Sequence, residues 1–215
     1  MRISFSNVVP AFLSEQRDKL SASRVWDADL ILNSGDFLEI TAPSGKGKTM
    51  FISLLYGFQK PVSGNIFYGD ETLTGMNPSR LAELRRTAMG IVFQDLKLYP
   101  ELTARENIMM KAGLTSTVTT TKINEMAESL SVGWLLDNKC RHLSQGQMQR
   151  VAVIRGLSQS FSWLLLDEPF SHLDERSATA TAELIKQRCR EENTGLVLTT
   201  LHPQSYCKCN ESYAL

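Results

Sequence analysis

Two short stretches hold the residues best suited to chemistry on a phosphorylated substrate. "APSGKGKT" (42–49) matches the pattern G-x-x-x-x-G-K-[ST] at every fixed position except the first, where Ala42 stands. In a strand–loop–helix turn of this kind, the backbone N–H groups from Ser44 to Thr49 converge on phosphate oxygens, and the helix N-terminus adds its positive end. The Lys48 ammonium can reach the β- and γ-phosphates of a nucleotide, and the Thr49 hydroxyl can ligate the accompanying Mg²⁺. The second stretch, "WLLLDEP" (163–169), is an apolar run ending in adjacent carboxylates. Open α/β sheets bind ligands at such strand ends, so Asp167 can hold the metal through its water shell. Glu168 can orient and partly deprotonate an attacking water. Each stretch taken alone has a plainer reading, a glycine-rich turn with a solvated lysine in one case and a strand-ending turn in the other.

The elements that must position these residues are legible as periodicities. "DFLEIT" (36–41) is a short apolar run entering the loop, and "TMFISLLYGF" (49–58) leaves it with Phe51, Leu54, Leu55 and Phe58 at helical spacing. "VSGNIFYGDETLTG" (62–75) reads as antiparallel hairpin material around Gly69-Asp70. Asn77-Pro78 opens a helix through "SRLAELRRTA", with Asn as cap and Pro at the first helical position. "GIVF" (90–93) is a buried strand, and helical signals dominate 103–158. The chain then returns to strands at "SWLLLD" (162–167) and "GLVLTTL" (195–201), with the amphipathic "ERSATATAELIKQRCREE" between them. Alternating strands and helices predict an α/β fold: a mostly parallel sheet covered on both faces, interrupted by an inserted helical subdomain.

Composition limits the function classes. The 215 residues suffice for one large α/β domain, and 23 Lys plus Arg balance 23 Asp plus Glu. That balance gives no bulk excess of positive charge favouring nucleic acid or an anionic membrane. No apolar run approaches the ~20 residues of a spanning helix, and the N-terminus lacks a signal-peptide pattern, so a cytosolic protein is expected. Cys140, Cys189, Cys207 and Cys209 fall in no zinc-ligand or C-x-x-C pattern and read as free thiols.

"LSQGQMQRVAVIRGL" (143–157) resembles the signature motif of ABC-type ATPases, usually written L-S-G-G-Q, with Gln145 in place of the first Gly. In the family's order stand the Walker A match (42–49), Gln94 in "IVFQD" resembling the Q-loop, and "LLLDEP" resembling Walker B. "SHLD" (171–174) resembles the D-loop, and His202 in "TTLHP" the switch histidine. The resemblance covers nearly the whole chain. Residues 81–110 are further similar to the ATPase subunits of the lipoprotein-release and MacB-type macrolide-exporter group.

The resemblance implies a P-loop fold of this family, built as one nucleotide-binding domain. Residues 1–94 and 159–215 would form the catalytic core with an antiparallel β subdomain, and 95–158 the helical subdomain. It implies an active ATPase working as a head-to-tail dimer with itself or a homologous subunit, with ATP and Mg²⁺ sandwiched between Walker A of one subunit and the signature of the other. Glu168, His202 and Gln94 would then be catalytic, and Thr49, Gln94 and Asp167 would face the metal. Pro43, Ser44, Gly45, Lys46, Gly47, Lys48 and Thr49 would hold the nucleotide. Ser144, Gly146 and Gln147 would act from across the interface, where Asp174 communicates between sites. Phe12 either stacks on adenine or packs in the first β-hairpin. The expected role is powering a membrane transport or lipoprotein-release complex from the cytoplasmic face of the inner membrane, docked on a permease. A soluble ABC ATPase uncoupled from transport and a non-hydrolysing regulatory cassette are the alternatives. Beside Ala42 and Gln145, Lys46, Leu201 before the histidine and "IRGL" for the usual "ARAL" depart from the family pattern. The end of the chain about one strand after His202 is read as leaving no room for a C-terminal regulatory domain.

Overall fold

The computed structural model describes residues 1–15, 23–115 and 117–215. Its centre is a five-stranded sheet of β3 (Phe37–Thr41), β6 (Met89–Val92), β7 (Trp163–Asp167), β8 (Gly195–Thr200) and β9 (Glu211–Ala214), in the order β6-β7-β8-β3-β9. Every pairing in it is parallel. β7 and β8 are buried along their whole length, as central strands of a doubly covered sheet must be. Alternate residues serve opposite faces: Leu164, Leu166, Leu196 and Leu198 join one apolar cluster, and Trp163, Leu165 and Val197 join the other.

The second cluster is closed by a four-stranded antiparallel sheet, β2-β1-β4-β5, made of β1 (Ile3–Val9), β2 (Leu30–Leu32), β4 (Ser63–Tyr68) and β5 (Glu71–Thr72). The turn between β4 and β5 falls at Gly69-Asp70, as the sequence suggests. α1 (Lys48–Leu55) lies between the sheets, burying Phe51, Ile52, Leu54 and Leu55. α2 (Pro78–Thr87) begins at the expected cap, with Asn77 accepting from the Arg80 N–H.

The first cluster is closed by α6 (Glu175–Glu192) and by the helical block α3 (Ala104–Ala112), α4 (Thr120–Ser129) and α5 (Gln145–Leu157). α3 and α5 both start with a reciprocal capping box, Thr103 with Glu106 and Ser144 with Gln147. These boxes fix where the helices begin, which matters at α5 because its first turn carries the stretch that resembles the signature motif. The four cysteines are free thiols.

Candidate functional site

The phosphate loop leaves β3 at Thr41 and enters α1 at Lys48. Ala42 is buried, donates its N–H to the Thr200 carbonyl at 3.2 Å, and does not require a left-handed backbone. The methyl group that departs from the family pattern is therefore tolerated by the backbone at that point. Gly47 does need its freedom: its φ is +101°, and a Cβ there would meet the Phe12 ring at 2.6 Å. The N–H groups of Ser44, Gly45, Gly47, Lys48 and Thr49 meet no protein acceptor among the described residues. A run of unspent donors at a helix N-terminus is a nest for an anion, so the loop fits a phosphate chain.

Lys48 is only 5% exposed, and its Nζ donates to the carbonyls of Ala42 at 2.8 Å and Pro43 at 3.2 Å. It also pairs with Glu168 Oε1 at 3.2 Å. Glu168 is 8% exposed and takes a left-handed φ of +50°, an uncommon conformation for a residue with a side chain. Its N–H donates to the Thr199 carbonyl, and its own carbonyl accepts from Ser171. These bonds hold the strained turn, and the turn carries a carboxylate from the end of β7 to the phosphate loop. The two charges thus neutralise each other in a site where either alone would be costly.

Asp167 lies one residue earlier on β7, paired in register with Thr199, whose hydroxyl donates to its carboxylate at 2.5 Å. Burial raises the pKa of Asp167, and the Thr199 and Thr49 hydroxyls counter that rise. In the resting geometry the Thr49 hydroxyl donates to Gln94 Oε1 at 3.3 Å. Thr49, Gln94 and Asp167 therefore present three oxygen donors together, the hard ligand set that suits Mg²⁺.

Two adjoining cavities meet at Thr49 and Gln94. One, of about 270 Å³, is bounded by Phe12, Ser44, Gly45, Gly47, Lys48 and Glu168. The other, of about 520 Å³, runs past Asp167, Asp95 and His172. Phe12 sits beyond the end of β1, in a single 3₁₀ turn at Ala11–Leu13, 40% exposed and edge-on to Trp26. It packs over the phosphate loop and stands outside the β1–β2 pairing. Lys46 is exposed on the rim, with no ion pair among the described residues.

The remaining sequence-predicted residues stand apart from this centre. Ser144 caps α5, accepting from the Gln147 N–H at 3.3 Å while its own N–H donates to Gln147 Oε1 at 2.8 Å. Gly146 rests on the D-loop stretch, where an added Cβ would lie 2.9 Å from the His172 carbonyl. Neither Ser144 nor Gly146 lines the two cavities. Asp174 caps α6, and its bond from Ser177 lowers its pKa. His202 follows β8 in an exposed bend and makes no hydrogen bond or ion pair among the described residues. The sequence reading missed His172, which reaches the larger cavity beside Asp167 and shares a 3.0 Å contact with the Ser171 hydroxyl. The signal for it was the histidine inside "SHLD", a position read there only as part of a motif.

Comparison with known proteins matches residues 25–171 to the family described as ABC transporter. A lipoprotein-releasing system ATP-binding protein, LolD, of Legionella pneumophila (strain Lens) is 37% identical over 175 residues, 80% of this chain and 77% of its own length. An uncharacterized ABC transporter ATP-binding protein of Bacillus subtilis, YvcR, is 32% identical over 84% of this chain and 71% of its own. Among solved structures, the dimeric post-hydrolysis state of the ATP-binding cassette MJ0796 bound to ADP and Pi superposes with a TM-score of 0.79 at 25% identity. It covers 93% of this chain and 88% of that one. A Pyrococcus furiosus putative ABC transporter ATP-binding protein shares the fold, with a TM-score of 0.80 at 18% identity, covering 100% and 98% of the two chains.

Proposed function

Since this chain belongs to the ABC transporter family, we propose that it binds and hydrolyses ATP as the energy-coupling subunit of a membrane transport or lipoprotein-release complex. The observation that carries this reading is the junction of a nest of free N–H donors with the buried Lys48–Glu168 pair. An incoming γ-phosphate competes for Lys48, and as the ammonium turns to it, Glu168 is left free to orient a water and accept its proton. Gln94, bonded to Thr49, senses the occupied site, and His202 donates to the γ-phosphate. Phe12, beside the loop and half-exposed, offers its face to adenine. Mg²⁺ bound at Thr49, Gln94 and Asp167 would neutralise charge developing on the β- and γ-phosphates.

Ser144 and the backbone at Gly146 complete the site from a second copy or a homologous subunit, and Asp174 links the two sites. The exposure of the signature turn, outside its own chain's phosphate cavities, supports this split. The whole chain then acts as one nucleotide-binding domain, with 1–94 and 159–215 as core and 95–158 as the helical subdomain. No helix among the described residues is long and apolar enough to cross a membrane, which fits a peripheral subunit on the cytoplasmic face of the inner membrane, held by a permease. An aromatic patch next to Gln94 offers the surface for that permease: Phe58 stacks on Phe93 at 5.8 Å, and Tyr99 and Met110 stand exposed nearby along one groove. Phosphate release by the purified protein, abolished in Lys48→Ala, tests the ATPase. Recovery of a multi-spanning membrane protein with the chain in mild detergent tests the coupling. Turnover that survives Lys48→Ala overturns the assigned site.

A further inference from the structure

β3 is an inner strand, flanked by β8 and β9, and its stretch "FLEIT" places a glutamate where an apolar residue is expected. Glu39 is 6% exposed and forms no ion pair among the described residues. A buried carboxylate without a cation is costly unless donors satisfy it. Its donors are specific: Oε1 accepts from the Thr200 hydroxyl at 3.0 Å and from the Gln204 N–H at 3.3 Å. Those residues stand two before and two after His202. The Gln204 side chain in turn clasps the backbone of Cys207, donating to its carbonyl and accepting from its N–H, both at 2.8 Å. His202 itself is exposed and makes no bond among the described residues, and the bend that carries it is held from its two ends by one carboxylate.

We propose that Glu39 is the positioning residue for His202. The reason lies in the strand it occupies. β3 runs directly into the phosphate loop, and its Thr41 pairs in register with Thr200 of β8. A carboxylate anchored on β3 therefore fixes the histidine bend to the same rigid element that fixes the phosphate nest. Two bonds to one acceptor hold the bend from both of its ends, and they leave the imidazole free to meet its ligand. An apolar residue at 39 would fill the strand but leave the bend tethered only through the chain. This inference rests on the reading of His202 as a γ-phosphate donor.

The test is steady-state ATPase of the full chain in a double-mutant cycle. Glu39→Leu lowers kcat by about tenfold with the KM for ATP nearly unchanged, because a misplaced donor weakens the transition state more than the ground state. Glu39→Gln keeps an acceptor at Oε1 and recovers most of that loss. In a His202→Ala background, Glu39→Leu causes no further loss, since the two residues act through one contact. Side-chain NMR of the three histidines, in nucleotide-free protein, shows the His202 ring signal moved or broadened by Glu39→Leu. If Glu39→Leu fails to fold, Thr200→Val removes one of the two donors and gives a smaller loss, again absent without His202. Full turnover in the folded variant, or losses that simply multiply with His202→Ala, overturns the proposal and leaves the site reading intact. Full turnover in His202→Ala alone removes the histidine from the site, and the role of Glu39 falls with it.

Discussion

The phosphate-loop end and the signature end of this molecule are built on opposite principles. At the loop, Lys48, Glu168 and Asp167 are buried, and each is satisfied by a partner from a different strand or loop. At the signature-like turn, Ser144 and Gln147 cap each other and the Ser144 carbonyl accepts from the Met148 N–H, so its partners all lie within one helix start that faces solvent. The first region satisfies its own buried charges within one chain and holds Lys48 and Glu168 as a pair. The second is shaped by its own helix cap and presents its donors outward. The buried pair is placed by tertiary packing, whereas the exposed capped turn is placed by its own local sequence.

The contrast breaks most visibly at Glu168. Glu168→Gln keeps the shape but cannot accept a proton, so turnover falls by about 10²–10⁴-fold while ATP still binds. Phosphate release and a fluorescent-nucleotide titration measure the two, and near-normal hydrolysis removes Glu168 from its role.

At the other end, the expectation is a dependence on assembly. Specific activity per subunit should fall by at least about tenfold when the protein is diluted from dimer to monomer, because each chain lacks half of the donors. Ser144→Arg should hold activity at the monomer level at every concentration while leaving nucleotide binding to the chain's own loop intact. A flat dilution profile, with sedimentation showing dissociation, would sink the split site.

A smaller effect sharpens the difference in charge balance. In the helical block, Lys111 and Arg155 approach each other in the aromatic groove, with no acidic partner among the described residues. Burial, with Arg155 nearby, lowers the pKa of Lys111 to about 8. Between pH 8 and the ordinary lysine value near ~10.4, the unfolded chain holds more protons than the folded one, so stability from this group rises with pH across that window. Below it the cost of the buried charge is fully present. Lys111→Met should therefore raise Tm at pH 7 by about 2 °C, a figure reduced for the partial exposure of the group, and the gain should vanish toward pH 10.5. Melting curves of both proteins from pH 7 to 10.5 check it; a gain that persists at the upper end points to packing instead.

The smallest effect is expected at Ala42. Its backbone takes an ordinary φ, so Ala42→Gly should change ATP affinity by well under tenfold, less than ~1.4 kcal/mol. A large gain measured by titration would show that the loop is impaired as it stands.

Much of the fold was legible because its signals are short-ranged. Asn77-Pro78 opens α2, Gly69-Asp70 turns the hairpin, and the apolar runs of β7 and β8 stand where they were expected. β2 was not read, and of β9 only the room for about one more strand after His202 was: the first is three residues long, and the second, "ESYA", is a mostly exposed edge strand with no apolar alternation. Such a strand is recruited by the free edge of β3, which no local window contains.

The same division runs through the site. The sequence by itself determined the chemical inventory, since the roles proposed for Gly47, Lys48, Thr49, Asp167 and Glu168 are read from residue type and spacing. It also determined the signature turn, because Ser144 and Gln147 cap a helix three residues apart. Only the tertiary structure decided that Lys48 rests on Glu168, that Phe12 covers Gly47, that His172 reaches the cavity of Asp167, and that Glu39 holds both sides of His202. Each of these contacts joins residues on different strands or loops. That Lys48 meets Glu168, and Glu39 the bend of His202, follows from the order β6-β7-β8-β3-β9, fixed by burying apolar faces on both sides of the sheet, and a pattern read along the chain carries no record of that order.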